Sequence, residues 1–233
     1  MKAIRRVLKF FNANKTKNEA ESERSKIVKT IEETEKKYLD SLQTIIKHYK
    51  KPLEQDKKIL TSKKIETLFY GFDEILRLHR DFNFELSKCI SEWDEQELIG
   101  GAFLTTFSKP NVLDVYSKFI NNYPDALKVY QKSMKSSEFK RFLADRKSLS
   151  KDNLDLTGMM IKPVQRLPQF IMVLNDLNKS TPNEHYDKRN IEAALKQLEC
   201  LANQLNDRKK ICEEKQKKLK RNSFRRLFKR KTV

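Results

Sequence analysis

The stretch that decides how this chain folds is "IKPVQRLPQF", Ile161 to Phe170. It lies inside a longer run, "LDLTGMMIKPVQRLPQFIMVLNDL" (154–177), that otherwise reads as helix. Yet it holds Pro163 and Pro168, with Lys162, Gln165 and Arg166 between and beside them. A proline in a helix interior loses a hydrogen bond and clashes with the preceding turn, at about 3 kcal/mol or more. Two readings stay open on periodicity alone. Pro163 bends the helix around the core, with Arg166 paired to an acid to hold the bend. Alternatively, the kink re-aims polar side chains at a functional surface.

The flanking sequence is helical too. Over residues 25–53, Ile27, Ile31, Thr34, Tyr38, Leu42, Ile45 and Tyr49 recur every three or four positions, with Ser25 as N-cap and Pro52 as stop. A second helix is expected from Ser62 to Ile90, carrying His79 on its apolar stripe as a satisfied core residue. Gly100 and Gly101 break the chain. A third helical region, Val112 to Met134, is divided by Pro124, and a short helix bearing Phe139, Phe142 and Leu143 follows. After the loop "KSTPNEHYD", a last helix runs from Lys188 to about Lys220. The expected fold class is all-α, an elongated bundle of five or six long helices, some kinked at proline.

Composition agrees. Four Gly and six Pro among 233 residues, against 35% charged and 38% hydrophobic, favour long helices over a loop-rich chain. The net charge of +18 is unevenly spread. Residues 1–24 carry seven Lys/Arg and three Glu, and residues 216–233 carry nine Lys/Arg and no acid, leaving +5 for the middle. Three segments follow: a basic N-terminal tail or amphipathic helix over 1–24, a helical domain over 25–215, and a basic amphipathic tail over 216–233. Basic ends on a nearly balanced centre seek an anionic surface, and no nucleic-acid fold or aromatic stacking platform accompanies them. Residues 1–18 hold no acid, as in a mitochondrial presequence, but also no Ser.

Catalytic signatures are missing. The sequence has no Gly-rich phosphate loop, no GxSxG and no HExxH, and Cys89, Cys200 and Cys212 form no metal spacing. No cofactor and no metal are expected, and no covalent catalytic residue is assigned. Glu32, Glu33 and Glu35 read as a solvated helix face.

The motifs nevertheless fit one family. "LTGMMIKPVQRLPQFIMVLNDLNKSTP" closely resembles the third conserved region of the Dbl homology domain, the helical module of Rho-family guanine nucleotide exchange factors. "IVKTIEETEKKYLDSLQTIIKHYKKPL" is similar to the first region, including "TE-x-x-Y", and "LANQLNDRKK" to the last helix. The resemblance covers about residues 25–215. It implies a module that docks on the switch regions of a Rho/Rac-type GTPase and stabilises the nucleotide-free form, so that GDP leaves. Lys162 and Gln165 would then face the switches, Arg166 would support the bend, and Asn206 with Asp207 would meet switch II.

Two departures matter. The family's usual glutamate, four residues before the Thr of "TE", is here Thr30, with Glu33 near the same face. The resemblance therefore leaves an alternative, an exchange-inactive scaffold of the same fold. Where the family's pleckstrin homology domain would be expected, the sequence reads "KKLKRNSFRRLFKRKTV", and these basic residues are expected to serve as a membrane anchor in its place. There Arg221, Arg225, Arg226, Lys229 and Arg230 alternate with Phe224, Leu227 and Phe228, which suits an anionic membrane. The expected setting is cytoplasmic, at the inner face of a membrane.

Overall fold

The computed structural model describes the backbone of residues 2–93, 98–149 and 154–229, and the side chains of 23–93, 98–149, 154–212 and 214. Every regular element among them is helical: α1 (Lys2–Thr44), a π-helical turn (Ile45–Lys50), α2 (Lys51–Gln55), α3 (Ser62–Leu68), α4 (Phe72–Ser91), α5 (Gly100–Phe107), α6 (Val112–Ser133), α7 (Ser137–Ala144), a 3₁₀ turn (Lys147–Leu149), α8 (Leu156–Met160), α9 (Lys162–Lys179) and α10 (Lys188–Lys229). With 43 and 42 residues in α1 and α10, and about 1.5 Å of rise per residue, the bundle is elongated. α1 packs on α4 and α9, while α10 covers α5, α6 and α9. Arg221, Phe224, Arg225, Arg226, Leu227, Phe228 and Lys229 fall on the last turns of α10, but their side chains, and all of Arg230, lie outside the described residues.

A buried register running through α1 and the π-helical turn is Val28, Ile31, Glu35, Tyr38, Leu42, Ile45 and Tyr49, a strict alternation of three and four. Thr34, expected on this stripe, is exposed, and Glu35 takes the core position. α1 also continues through Ser25, which therefore does not start the helix; its hydroxyl accepts a hydrogen bond from Trp93 Nε1 at 3.1 Å. Pro52 does not stop the chain's helical course but enters the first turn of α2. Having no N–H, it cannot bond the carbonyl of His48 four residues back. Arg146 Nε donates to that carbonyl instead, at 2.8 Å.

Glycine and proline act differently from the sequence expectation. The helix expected over 62–90 is split at Gly71, whose φ of 82° is left-handed and costs glycine little. Pro124 does not divide α6, which runs through it. Pro163 starts a helix rather than bending one. Asp155 caps α8, accepting from the Gly158 N–H at 2.7 Å, the chain turns at Ile161, and α9 begins with Pro163 in its first turn. A missing N–H costs little there, because first-turn N–H groups lack helical partners anyway. Gly100 and Gly101 open α5 rather than interrupting the chain, and the buried carboxylate of Asp187 accepts from the N–H groups of Ile99 (2.8 Å) and Gly100 (3.0 Å).

Candidate functional site

Starting α9 at Lys162 places its first two turns against the middle of α1. Between them opens a groove of about 460 Å³, lined by Thr34, Lys37 and Tyr38 of α1, by Leu154, Gly158 and Ile161, and by Lys162, Gln165, Arg166 and Gln169 of α9. Apolar side chains contribute the wall before α9, while lysines and glutamines stand around it. Lys162 Nζ reaches across to Ser41 Oγ on α1 at 2.6 Å. Thr30 and Glu33 are exposed one turn before Thr34 and Lys37 on the same helix face, so they extend the groove's α1 side. The Thr30 hydroxyl donates to the Lys26 carbonyl at 3.0 Å. Asn206 and Asp207 are exposed on α10 and do not line the groove; Asp207 sits 3.9 Å from Lys210.

Directly under this groove lies a buried polar network. Arg166 does not face solvent. Its side chain is 4% exposed, and its Nε and Nη2 donate to Glu35 Oε2 at 3.1 and 2.5 Å. The guanidinium also lies over the rings of Tyr38 (5.1 Å) and Phe170 (4.2 Å). Such planar, delocalised charge suits a stacked, buried ion pair better than an ammonium would. The other Glu35 oxygen meets His79 Nδ1 at 2.8 Å, and His79 Nε2 meets the Tyr116 hydroxyl at 2.7 Å. Burial raises the Tyr116 hydroxyl far above its ordinary value, with the Glu35 charge adding to it, so Tyr116 keeps its proton and donates. His79 then accepts at Nε2 and donates Nδ1–H to Glu35, which satisfies every member.

Burial by itself would push the Glu35 carboxyl up. The hydrogen bond from His79 and the charge and hydrogen bonds of Arg166 overcome that and hold it below the ordinary carboxylate range. The unfolded chain takes up a proton at Glu35 near about pH 4.3, whereas the folded chain resists to lower pH. Its stabilising contribution is therefore whole above the unfolded value and lost as pH falls toward the folded one. Urea midpoints measured downward from about pH 6 to about pH 3 should fall more steeply for the native chain than for Glu35→Gln. Parallel slopes would remove Glu35 as a source of acid sensitivity.

Sequence reasoning thus brought Lys162, Gln165, Thr30 and Glu33 to one surface. Arg166 lies largely beneath that surface, its guanidinium paired with Glu35. Three residues were missed. Glu35 was read as solvated, though it falls on the three-four register between Ile31 and Tyr38. Tyr38 lines the groove while its buried hydroxyl has no hydrogen-bond partner among the described residues. Gln169, one turn beyond Gln165, completes the α9 side. Among the described residues no His, Cys, Asp and Glu group is placed to hold a metal ion, and no helix is long and apolar enough to cross a membrane.

An all-helical bundle that opens a groove between its first long helix and a "KPVQR" helix has the architecture of the Dbl homology fold. The RhoGEF domain family matches residues 27–206, and the chain belongs to that family. Human Rho guanine nucleotide exchange factor 10 is 41% identical over 191 residues, 81% of this chain and 14% of the relative. Mouse Rho guanine nucleotide exchange factor 17 is 29% identical over 196 residues, 82% of this chain and 9% of the relative. The chain spans only a small part of either relative. Among solved structures, the DH/PH domains of PDZ-RhoGEF, in complex with GTP-γ-S-activated RhoA, share the fold with a TM-score of 0.75 at 20% identity. That match covers 83% of this chain and 56% of the other.

Proposed function

We propose that this chain is an exchange factor that docks the switch segments of a Rho/Rac-type GTPase along the α1–α9 groove and promotes GDP release. The observation that carries this is the alignment of Lys162 and Gln165 with Thr34 and Lys37 on one open groove, in a chain of the RhoGEF family. The PDZ-RhoGEF neighbour's complex with RhoA supports a Rho-type partner. The mechanism is differential binding. The groove must hold the empty GTPase more tightly than the GDP-bound one, because equal affinity for both shifts nothing. No covalent step is involved. The basic segments 1–24 and 216–233, the latter through Arg221, Phe224, Arg225, Arg226, Leu227, Phe228, Lys229 and Arg230, would hold the domain at an anionic leaflet.

The test is release of fluorescent GDP from a panel of Rho-family GTPases. Lys162→Ala in the groove, or Asn206→Ala at the separate switch II contact that the family resemblance implies on α10, should each cut the acceleration about tenfold or more. A lost charge-assisted or well-buried hydrogen bond costs about 1.5–3 kcal/mol, and about 1.4 kcal/mol is tenfold in rate. A native chain that binds an empty GTPase yet accelerates none of the panel would be a scaffold instead. Thr30 favours that second reading, because it offers no carboxylate and spends its hydroxyl on the Lys26 carbonyl. Thr30→Glu should then raise the exchange rate, and an unchanged rate would remove Thr30 as a cause of weak exchange.

A further inference from the structure

Positive charge inside the folded domain is concentrated at one corner. Residues 45–66 and 132–149 together hold thirteen Lys/Arg against five Asp/Glu, a net +8. Residues 25–215 carry only +5 in all, so the rest of the domain is net negative at −3. The two segments meet where His48 and Tyr49 reach Phe142 and Arg146. The Tyr49 hydroxyl donates to the Arg146 carbonyl at 3.1 Å, Arg146 Nε donates to the His48 carbonyl at 2.8 Å, and the Tyr49 and Phe142 rings meet edge-on at 6.3 Å.

Two of these cations serve the fold, Arg146 at the His48 carbonyl and Lys50 against Asp73. The other eleven are exposed. On the first segment these are Lys47, Lys51, Lys57, Lys58, Lys63 and Lys64, and none of them forms an ion pair among the described residues. Elsewhere, Lys36, Lys128 and Lys179 are each matched to an acid three or four residues away on their own helix. Glu54, Glu66, Asp73 and Glu74 share a pocket with Lys50 and Lys57 on one side of the corner, while the remaining like charges repel one another in the free protein and an external anion relieves them.

We propose that this corner is a membrane-docking surface that takes an anionic lipid bilayer, independently of the basic tails. Eleven of the thirteen cations are lysines. Lysine is a compact point charge that suits the diffuse field of a leaflet, whereas arginine forks suit fixed phosphate geometry. Each cation near such a leaflet raises partition about fivefold. Leu149, 42% exposed, stands at the same corner as an apolar side chain for the interface. This reading does not depend on exchange activity, because none of the six lysines lines the α1–α9 groove.

The test uses the full chain with the nine Lys/Arg of residues 216–233 and the four of residues 2–9 changed to Gln. This chain should still sediment with phosphatidylserine-containing vesicles at physiological salt, and not with pure phosphatidylcholine. Adding Lys57→Glu, Lys58→Glu, Lys63→Glu and Lys64→Glu should cut that sedimentation at least about tenfold, with the thermal midpoint unchanged. Loss of all sedimentation on changing the tails alone would assign attachment to the tails and overturn the proposal. So would sedimentation that the four corner changes leave intact. Retention on duplex DNA at physiological salt, lost with those changes and without vesicle binding, would make the corner a nucleic-acid surface instead.

Discussion

Replacing Glu35 with alanine is expected to lower the unfolding free energy by about 3–5 kcal/mol, the usual cost of leaving a buried charge without its partner. Arg166 would keep its charge at 4% side-chain exposure, with only Gln169 Oε1 at 3.4 Å and two aromatic faces left to it. His79 would lose the acceptor of its Nδ1–H as well. At this chain length each kcal/mol moves the thermal midpoint by about 2–4 °C, so a fall of roughly 10 °C is expected. The double variant Glu35→Leu/Arg166→Met separates charge from packing. Removing both charges together should leave the protein more stable than either single variant. A Glu35→Ala midpoint within about 2 °C of the native value would sink the claim that this pair organises the core.

The pair also explains why groove and core cannot be treated separately. Arg166 is the residue after Gln165 and lies one turn from Lys162 on α9, while Glu35 is the residue after Thr34 on α1. The ion pair that joins the helices therefore fixes the spacing of the side chains above it. This gives the opening stretch, "IKPVQRLPQF", a division of labour. Pro163 starts the helix, Arg166 anchors it inward, and Lys162, Gln165 and Gln169 are left on the groove.

Much of this was legible in the sequence. The order of helices, the last helix starting at Lys188 and the satisfied core role of His79 follow from periodicity and side-chain chemistry, while the pairing of Arg166 with an acid was one of two readings that periodicity left open. The acid itself was not legible. Hydropathy assigns a carboxylate to the outside, and its partner is 131 residues away, where no local rule connects them. The prolines were misread for a related reason. Sequence shows that Pro163 cannot donate a hydrogen bond, but only the turn at Ile161 shows that no helical partner was waiting for one. The basic corner was hidden as well, because its two halves are separated by 65 residues of intervening chain and merge only when Tyr49 meets Arg146.

Two adjacent glycines give the second large effect, with opposite signs. A Cβ added at Gly100 would lie 2.7 Å from the Asn190 carbonyl carbon and 2.7 Å from the Ile191 nitrogen. Those are backbone atoms of α10, so no side-chain rotation relieves the contact, and α5 must move off α10. The same shift would strain the two hydrogen bonds from Ile99 and Gly100 to Asp187. Gly100→Ala is therefore expected to cost about 1–3 kcal/mol, at the upper end because the opposing wall is backbone. A Cβ at Gly101 meets nothing within 4 Å, and Gly101 lies in the same helix. Gly101→Ala should instead stabilise the protein by about 0.4–1 kcal/mol, since alanine has less freedom to lose on folding. Thermal midpoints of the two variants should straddle that of the native chain. If Gly100→Ala also raised the midpoint, close approach of α5 to α10 would not be what glycine supplies there.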